Sequence, residues 1–394
     1  MLKWDQVQHS YFDHNATTPV APEVLETLVQ CLDQVYGNAS SIHHFGQEAK
    51  RRLEAARRQV AALIHADASE VVFTSGGTEA DNMAVLGAVR AAPLSTQGAA
   101  KHVITSAIEH PAVLAACAQL EREGVAVTRV KVGATGVVNA DDVRAALRPE
   151  TALISVMHAN NELGTIQPMV EIGRIAREAG IPLHVDGVQA LGKIPVDVTA
   201  LGADLYSMSG HKLYAPKGVG ALYVRKGAHL SPVAFGGHQE RERRPGTENV
   251  PGAVAFGAAA ELAGRNLAAD AERLAGLRDR FENAVLGRIS GAGVNGARWS
   301  RTPNTSNLYF DGLDGEALVI ALDLRGFAVS TGAACSSGAI APSHVLTAIG
   351  LGADRARASM RFSLGRANTA AEVDRLAEAL EASVAHLRRI SVHA

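Results

Sequence analysis

The chain has 394 residues, of which 47% are hydrophobic and 20% charged, enough for one large and one smaller domain with well-buried cores. Its formal net charge of −2 argues against a nucleic-acid partner, because no basic field attracts phosphates. Three widely spaced cysteines, Cys31, Cys117 and Cys335, favour neither a disulfide framework nor a zinc site. With neither a signal-peptide-like start nor an apolar run of membrane length, we expect a cytoplasmic protein without membrane contact.

The first part of the chain predicts short buried strands that alternate with helices. After a short strand that ends in a polar turn, helices are predicted over 22–35 and 47–64. Strands follow at 71–74, 102–105, 126–130, 152–157, 182–185, 204–208 and 221–224, and helices lie between many of them at 79–90, 112–123, 140–147 and 169–179. Apolar strands separated by helices are typical of a mostly parallel sheet covered on both faces. The sequence therefore predicts an α/β fold.

The alternation ends near Asn249. A long helix over 254–288 is predicted to link two domains. The segments 304–310, 315–324 and 327–330 then have the pattern of a small α+β unit, and a last helix is expected over about 370–388.

Polar residues follow four of the predicted strands at the point where each strand ends. Gly77 and Thr78 lie in a strand–turn–helix segment whose free N–H groups suit a phosphate. Asp186 closes another strand, and a buried carboxylate needs a cationic or N–H partner, such as a protonated pyridine nitrogen. His110 and Asn161 bring an imidazole and an amide to the same edge. Each alone could be a helix cap or loop residue, but together they predict a ligand site.

Three further side chains have reactive or charged groups in unusual surroundings. Lys212 lies in a small-residue turn between two buried strands, where burial lowers the pKa of an amine; a surface lysine is the ordinary alternative. Cys335 lies in a glycine- and serine-rich loop, where a thiol is more often reactive than structural. Arg361 lies inside a strand-like segment and requires a carboxylate, either a structural one or a substrate's.

Seven motifs spread between Tyr11 and Arg366 together resemble the class V aminotransferase-like, fold-type I family of pyridoxal phosphate (PLP) enzymes. They read SGGTEADN, IEHPAVL, HANNELGTIQP, SGHKLYAPKGVG, RRPGTENV, STGAACSSG and RFSLGR. Within that family they are similar to the NifS/IscS group of cysteine desulfurases, and the RRPGTEN and GGHQE pieces are nearer its nitrogen-fixation branch. The resemblance implies an N-terminal segment (1–20) that packs with the small domain. It also implies a large PLP-binding domain (21–260), followed by an interdomain helix and a small C-terminal domain (261–394).

The resemblance also implies roles for individual residues. Lys212 would hold PLP as a Schiff base and carry the substrate's Cα proton. Asp186 would pair with the ring nitrogen, Gln189 would hydrogen-bond the phenolic oxygen, and His110 would stack on the ring as an acid/base. The phosphate would be bound by Gly77, Thr78, Ser209, His211 and a second subunit's Thr247. Asn161 and Arg361 would bind the substrate carboxylate, and Asn161 would also contact the cofactor.

The activity implied by the resemblance is that of a homodimeric cysteine desulfurase. It converts L-cysteine into L-alanine and a persulfide on Cys335, which then passes to an iron–sulfur scaffold or another sulfur acceptor. No metal site is expected, apart from a transient contact of Cys335 with an iron–sulfur cluster. A selenocysteine lyase or other class V enzyme, and a non-catalytic sulfur-carrier scaffold, are the alternatives. Cys335 argues against a selenocysteine lyase or other class V enzyme. The presence of Cys335 together with Lys212 and Asp186 argues against a non-catalytic scaffold.

Overall fold

The computed structural model describes residues 9–93, 100–331 and 342–391. Its strands, in chain order, are β1 (Ser10–Tyr11), β2 (Val71–Thr74), β3 (His102–Ser106), β4 (Ala126–Val130), β5 (Thr151–Met157), β6 (Leu183–Asp186), β7 (Leu205–Ser209), β8 (Gly220–Val224), β9 (Ala292–Val294), β10 (Thr305–Phe310), β11 (Phe327–Ala328) and β12 (Ser359–Ser363). Its α-helices are α1 (Pro22–Gln34), α2 (His44–Leu63), α3 (Gly77–Ala91), α4 (Pro111–Arg122), α5 (Ala140–Ala145), α6 (Met169–Ala179), α7 (Val198–Leu201), α8 (Val250–Arg288), α9 (Gly315–Asp323), α10 (His344–Ala348), α11 (Ala353–Arg357) and α12 (Ala370–Ser391).

A seven-stranded sheet with the order β2-β8-β7-β6-β5-β3-β4 forms the larger core. Strand β8 is antiparallel to both of its neighbours, β2 and β7, whereas the other pairs are parallel. All strands except β8 therefore end at the same edge. The α/β fold class with a mostly parallel sheet is confirmed.

Helices cover both faces of this sheet, which explains why the strands have continuous apolar runs. Val72 of β2 packs with residues of α3 and α4 on one face. Its neighbours Val71 and Phe73 pack with residues of α2, α6 and α8 on the other face. Successive side chains of a strand point to opposite faces, so each strand contributes to two apolar layers.

A second apolar core surrounds the antiparallel sheet β12-β10-β9. Strand β1 pairs in parallel with β11, so the start of the described chain lies against this smaller part. Helix α8 contributes to both cores, with Phe256 in the larger and Phe281 in the smaller. The domain boundaries at residues 20 and 260 stay a prediction.

Helices α2 and α8 begin several residues earlier than the sequence pattern predicts, and polar side chains cap both. Helix α2 begins at His44 rather than residue 47, since His43 Nδ1 accepts the N–H of Gly46. Helix α8 begins at Val250 rather than residue 254, since Asn249 Oδ1 accepts the N–H of Gly252 at 3.0 Å.

Within the described ranges, no helix has the length and apolar character needed to cross a membrane.

Candidate active site

A cavity of about 350 Å³ lies at the carboxyl edge of the large sheet. Strands β2, β3, β5, β6 and β7 are each followed by lining residues, as expected for ligand sites in such sheets. The N-terminal segment and β12 close the cavity from the side of the smaller core. Its lining residues are Asn15, Ala16, Gly77, Thr78, Asp81, His110, Met157, Asn161, Asp186, Val188, Gln189, Ser209, His211, Lys212 and Arg361.

Lys212 reaches the cavity from a tight turn after β7. Its Nζ donates to the backbone carbonyls of Asn15 and Ala16, both at 2.6 Å. The turn is fixed by Tyr214, which has a left-handed φ of 66° and donates its backbone N–H to Thr18 Oγ1. A lysine held on carbonyls of another segment is already positioned for chemistry in the cavity.

Asp186 and His110 both line the cavity and interact with each other electrostatically. Asp186 Oδ1 accepts the N–H of Val188 at 3.0 Å, and burial raises the pKa of Asp186 despite the neighbouring His110 and Lys212. A cationic ligand group would favour the ionised carboxylate. His110 caps α4 through Nδ1, which accepts the N–H of Ala112 at 3.2 Å. Burial lowers the pKa of His110, so the ring is neutral near pH 7.

The start of α3 lies next to Ser209 in the lining of the cavity. A Cβ added to Gly77 would lie 2.8 Å from Val188 Cγ2 and 3.5 Å from Ser209 Cβ, so only glycine leaves the backbone accessible without displacement. Ser209 Oγ is buried and has no hydrogen-bond partner among the described residues. Beside it, His211 Nδ1 contacts Thr17 Oγ1 at 3.1 Å. Burial, with Lys212 and Lys217 nearby, lowers the pKa of His211 to about 4. Free N–H groups at a helix start and an unpartnered hydroxyl together suit a phosphate.

Arg361 enters the cavity from β12 and is almost fully buried. Its Nη2 donates to Asp13 Oδ1 at 2.6 Å, and its Nη1 donates to the Asn161 carbonyl at 3.1 Å. Its Nε is buried with no hydrogen-bond partner in the part of the chain that the structure describes. The guanidinium therefore keeps a donor for a further acceptor, such as a substrate carboxylate.

The structure brings all but two of the predicted site residues to this cavity. Thr247 is exposed and does not line it in this single chain. Cys335 lies in 332–341, outside the described residues. The other two cysteines, Cys31 and Cys117, are buried, and burial raises the pKa of the Cys117 thiol to about 12.

Several residues at the site have no role in the sequence prediction. Asn15 donates its side-chain N–H groups to Asn161 O and Thr305 Oγ1, and it accepts from Lys193. Asp81 lines the cavity, and burial together with Asp186 raises its pKa well above the usual value. The polar turn around Asn15 was the available signal, but a local pattern does not identify partners that lie far along the chain.

Comparisons with known proteins agree with this geometry. Residues 10–376 match the aminotransferase class-V family, and the chain belongs to that family. A cysteine desulfurase IscS from Dictyoglomus turgidum is 48% identical over 381 residues, covering 97% of this chain and 96% of that protein. A solved NifS-like protein covers 96% of this chain and 100% of its own, with a TM-score of 0.89 and 36% identity. A solved structure of SspA in complex with cysteine covers 90% of this chain and 98% of its own, with a TM-score of 0.79 and 37% identity.

These relatives confirm the resemblance to NifS/IscS-type cysteine desulfurases. They also confirm that the chain is an enzyme with the fold of NifS-like PLP proteins. The class V family is a family of PLP enzymes.

Proposed function

We propose that this protein is a PLP-dependent cysteine desulfurase, which converts L-cysteine into L-alanine and transfers the sulfur atom to Cys335. One observation carries the proposal: a single cavity gathers the amine of Lys212, the carboxylate of Asp186, the imidazole of His110 and the guanidinium of Arg361. The cysteine desulfurase name of a full-length relative supports the reaction, and the cysteine bound to the solved relative SspA supports the substrate.

The residues of the cavity fit PLP. The unpartnered hydroxyl of Ser209, the backbone at Gly77 and Thr78, and His211 would hold the phosphate. Asp186 would pair with the protonated ring nitrogen. This pairing would offset the unfavourable burial of the negative charge of Asp186. When bound, PLP supplies an electron sink that makes the Cα proton of a linked amino acid acidic.

The chain's own groups then position the substrate and move its protons. Arg361 and Asn161 would orient the substrate carboxylate, with Arg361 Nε as the unused donor. Lys212 Nζ would anchor the cofactor and, once released from it, carry the Cα proton. His110 would stack on the ring. While its Nδ1 accepts the Ala112 N–H, the neutral ring carries its hydrogen on Nε2 and can donate it in a hydrogen bond.

Cys335 would take the sulfur in a balanced transfer. Its thiolate attacks the substrate sulfur, an S–S bond forms, and the Cβ–S bond of L-cysteine breaks with its electron pair left on carbon. That carbon takes up the proton that the Cys335 thiol gives up, so alanine and a persulfide result. A free thiol of pKa about 8.5 is mostly protonated at neutral pH, so a base is required. We propose His110 in the tautomer that carries its hydrogen on Nδ1, which leaves Nε2 free to accept the thiol proton and gives up the contact of Nδ1 with the Ala112 N–H.

A homodimer is part of the proposal, with Thr247 completing the partner's phosphate site. The exposed side of α1 supports an interface, because Leu25, Val29 and Leu32 lie on one helical face and are 48%, 55% and 60% exposed. Tyr36 and Phe45, next to this helix, are also exposed and stack on each other at 5.2 Å. Sedimentation of the purified protein should give twice the chain mass, and a monomer would contradict this part.

We also propose a cytoplasmic location and an iron–sulfur assembly scaffold, or another sulfur carrier, as the acceptor. The sequence motifs favour a role close to nitrogen fixation. Pull-down of the persulfide-loaded protein from its own cell extract, with a Cys335→Ser variant as the control, would identify the acceptor.

Two pairs of variants test the proposal. Lys212→Ala should lose the visible absorption of the cofactor-linked protein, whereas Lys217→Ala, an exposed lysine of the same turn, should keep it. Cys335→Ser should keep the colour and gain no persulfide, whereas Cys31→Ser should keep both. The persulfide is detected as the mass of one added sulfur atom on the peptide. Normal sulfur transfer by Cys335→Ser would show that the proposed carrier is wrong.

A further inference from the structure

Lys193 is a lysine beside the cavity without an assigned role. It follows Gln189 by four residues and lies with Lys212 on the wall of a small adjoining cavity. Its Nζ donates to Asn15 Oδ1 at 3.0 Å and to Gln189 Oε1 at 2.5 Å. Both acceptors belong to residues that line the proposed cofactor site.

The contact with Gln189 fixes the orientation of its side-chain amide. Lys193 Nζ donates to Gln189 Oε1, so the amide oxygen faces the lysine. The amide NH₂ group then lies on the opposite side, where Nε2 donates one hydrogen to the Asn15 carbonyl at 2.9 Å. This leaves the second hydrogen for an acceptor in the cavity.

The contact with Asn15 extends the same control to Lys212. The Asn15 side-chain oxygen accepts from Lys193 and from Asn304 Nδ2, which fixes the orientation of that amide too. The backbone carbonyl of Asn15 is the shared acceptor for Gln189 and Lys212. The amine of Lys193 therefore orders Gln189 directly and Lys212 through Asn15. These are the two residues that would contact the ring oxygen and the linkage of the cofactor.

An amine in this position is unfavourable on its own. Burial, together with the positive charges of Lys212 and Arg361, lowers the pKa of Lys193 well below its usual value. Charged or neutral, the amine keeps the two N–H donors that its contacts require. Methionine has a similar length and would avoid the desolvation, but it would remove the donor from Gln189 Oε1 and one of the two donors from Asn15 Oδ1.

We propose that Lys193 is a positioning residue that sets the donor face of Gln189 toward the ring oxygen of the cofactor and aligns Asn15 beneath Lys212. The inference rests on the proposed function. Lys193 would act indirectly, through Gln189 and Asn15, on the protonation of the Schiff-base linkage.

The test is a visible pH titration of the full-length PLP-loaded protein, together with PLP affinity measured by equilibrium dialysis. In Lys193→Met the ring oxygen loses a donor that Lys193 keeps oriented through Gln189. This change favours the protonated linkage, so its titration midpoint should rise by roughly half a pH unit or more. PLP should bind about tenfold more weakly, the usual effect of one hydrogen bond to a charged group.

The other charged or titratable groups around Lys193 stay the same in every variant, so a change in midpoint reports on this lysine. They are Lys212, Arg361, His14, Asp270 and Arg366, with Asp186 and His110 across the cavity. Lys193→Arg keeps the donors and the charge and should restore most of the shift. Adding Gln189→Met to Lys193→Met should shift the midpoint by less than the sum of the two single changes.

The outcomes separate the inference from the proposed function. A wild-type protein that binds no PLP would overturn both. A coloured wild type with an unchanged midpoint and PLP affinity in Lys193→Met would overturn only the role of Lys193. If Lys193→Met does not fold, Gln189→Met is measured instead. An unchanged titration midpoint in Gln189→Met would show that the Gln189 amide does not affect the linkage, and this would overturn the role of Lys193.

Discussion

Replacing Arg361 with lysine separates substrate recognition from the rest of the site. Arg361→Lys keeps a positive charge near Asp13 but loses Nε, the buried donor without a partner among the described residues. Lysine also lacks the planar fork that binds a carboxylate through two parallel hydrogen bonds. The substrate carboxylate should therefore bind less tightly, while PLP, held by other residues, should bind as before.

The size of the effect follows from the contacts that are lost. A hydrogen bond to a charged group contributes about 1.5–3 kcal/mol. Since about 1.4 kcal/mol corresponds to a factor of ten, KM for L-cysteine should rise roughly 10- to 100-fold. We expect kcat to change much less, because the Cα proton and the sulfur are handled by other groups.

The assay is steady-state alanine formation from L-cysteine, with the visible PLP spectrum as a check on the site. Arg280→Lys is a matched control, because Arg280 pairs with Asp374 at 2.6 Å on the surface of the smaller part. A KM for Arg361→Lys within twofold of the wild type, with an intact spectrum, would refute the assignment of this arginine to the substrate.

Three further predictions concern stability, each measured by urea unfolding. Glu240→Gln leaves Arg57 buried without its 2.6 Å ion-pair partner and should lower the unfolding free energy by about 3 kcal/mol; a loss below 1 kcal/mol would contradict this. Burial raises the pKa of Glu109 to about 8. The stability that the protonated carboxyl adds to the folded state is therefore fully present below about pH 4.5 and is lost as the pH rises through 8. Glu109→Gln should therefore gain stability relative to the wild type between pH 5 and pH 8, and a constant difference would disprove the buried protonated carboxyl. Gly276→Ala, in open space on α8, should stabilise by about 0.5–1 kcal/mol, whereas Gly173→Ala, whose Cβ would lie 1.9 Å from a backbone oxygen, should destabilise; the reverse order would contradict the packing.

Much of the site could be predicted because strand ends are local features. Asp186 and His110 each follow an apolar run, and parallel strands end at one edge, so the pattern alone predicts that they meet. Lys212 needed the resemblance as well, because a lysine in a turn is ordinary by itself.

The residues that the sequence did not predict act through distant partners. Asn15 contacts Lys193 and Asn304, which are 178 and 289 residues away along the chain. Asp13 pairs with Arg361 across 348 residues. Neither hydrophobic periodicity nor motif spacing carries information about such pairs, because they form only when the N-terminal segment closes the cavity.

The product balance with L-cysteine tests the proposed desulfurase activity most directly. PLP-loaded protein, supplied with L-cysteine and a thiol reductant, is assayed for alanine and sulfide over many turnovers. We expect a yellow protein that forms the two products in equal amounts. A protein that cannot be loaded with PLP, or that consumes L-cysteine without releasing alanine, would contradict the proposed activity.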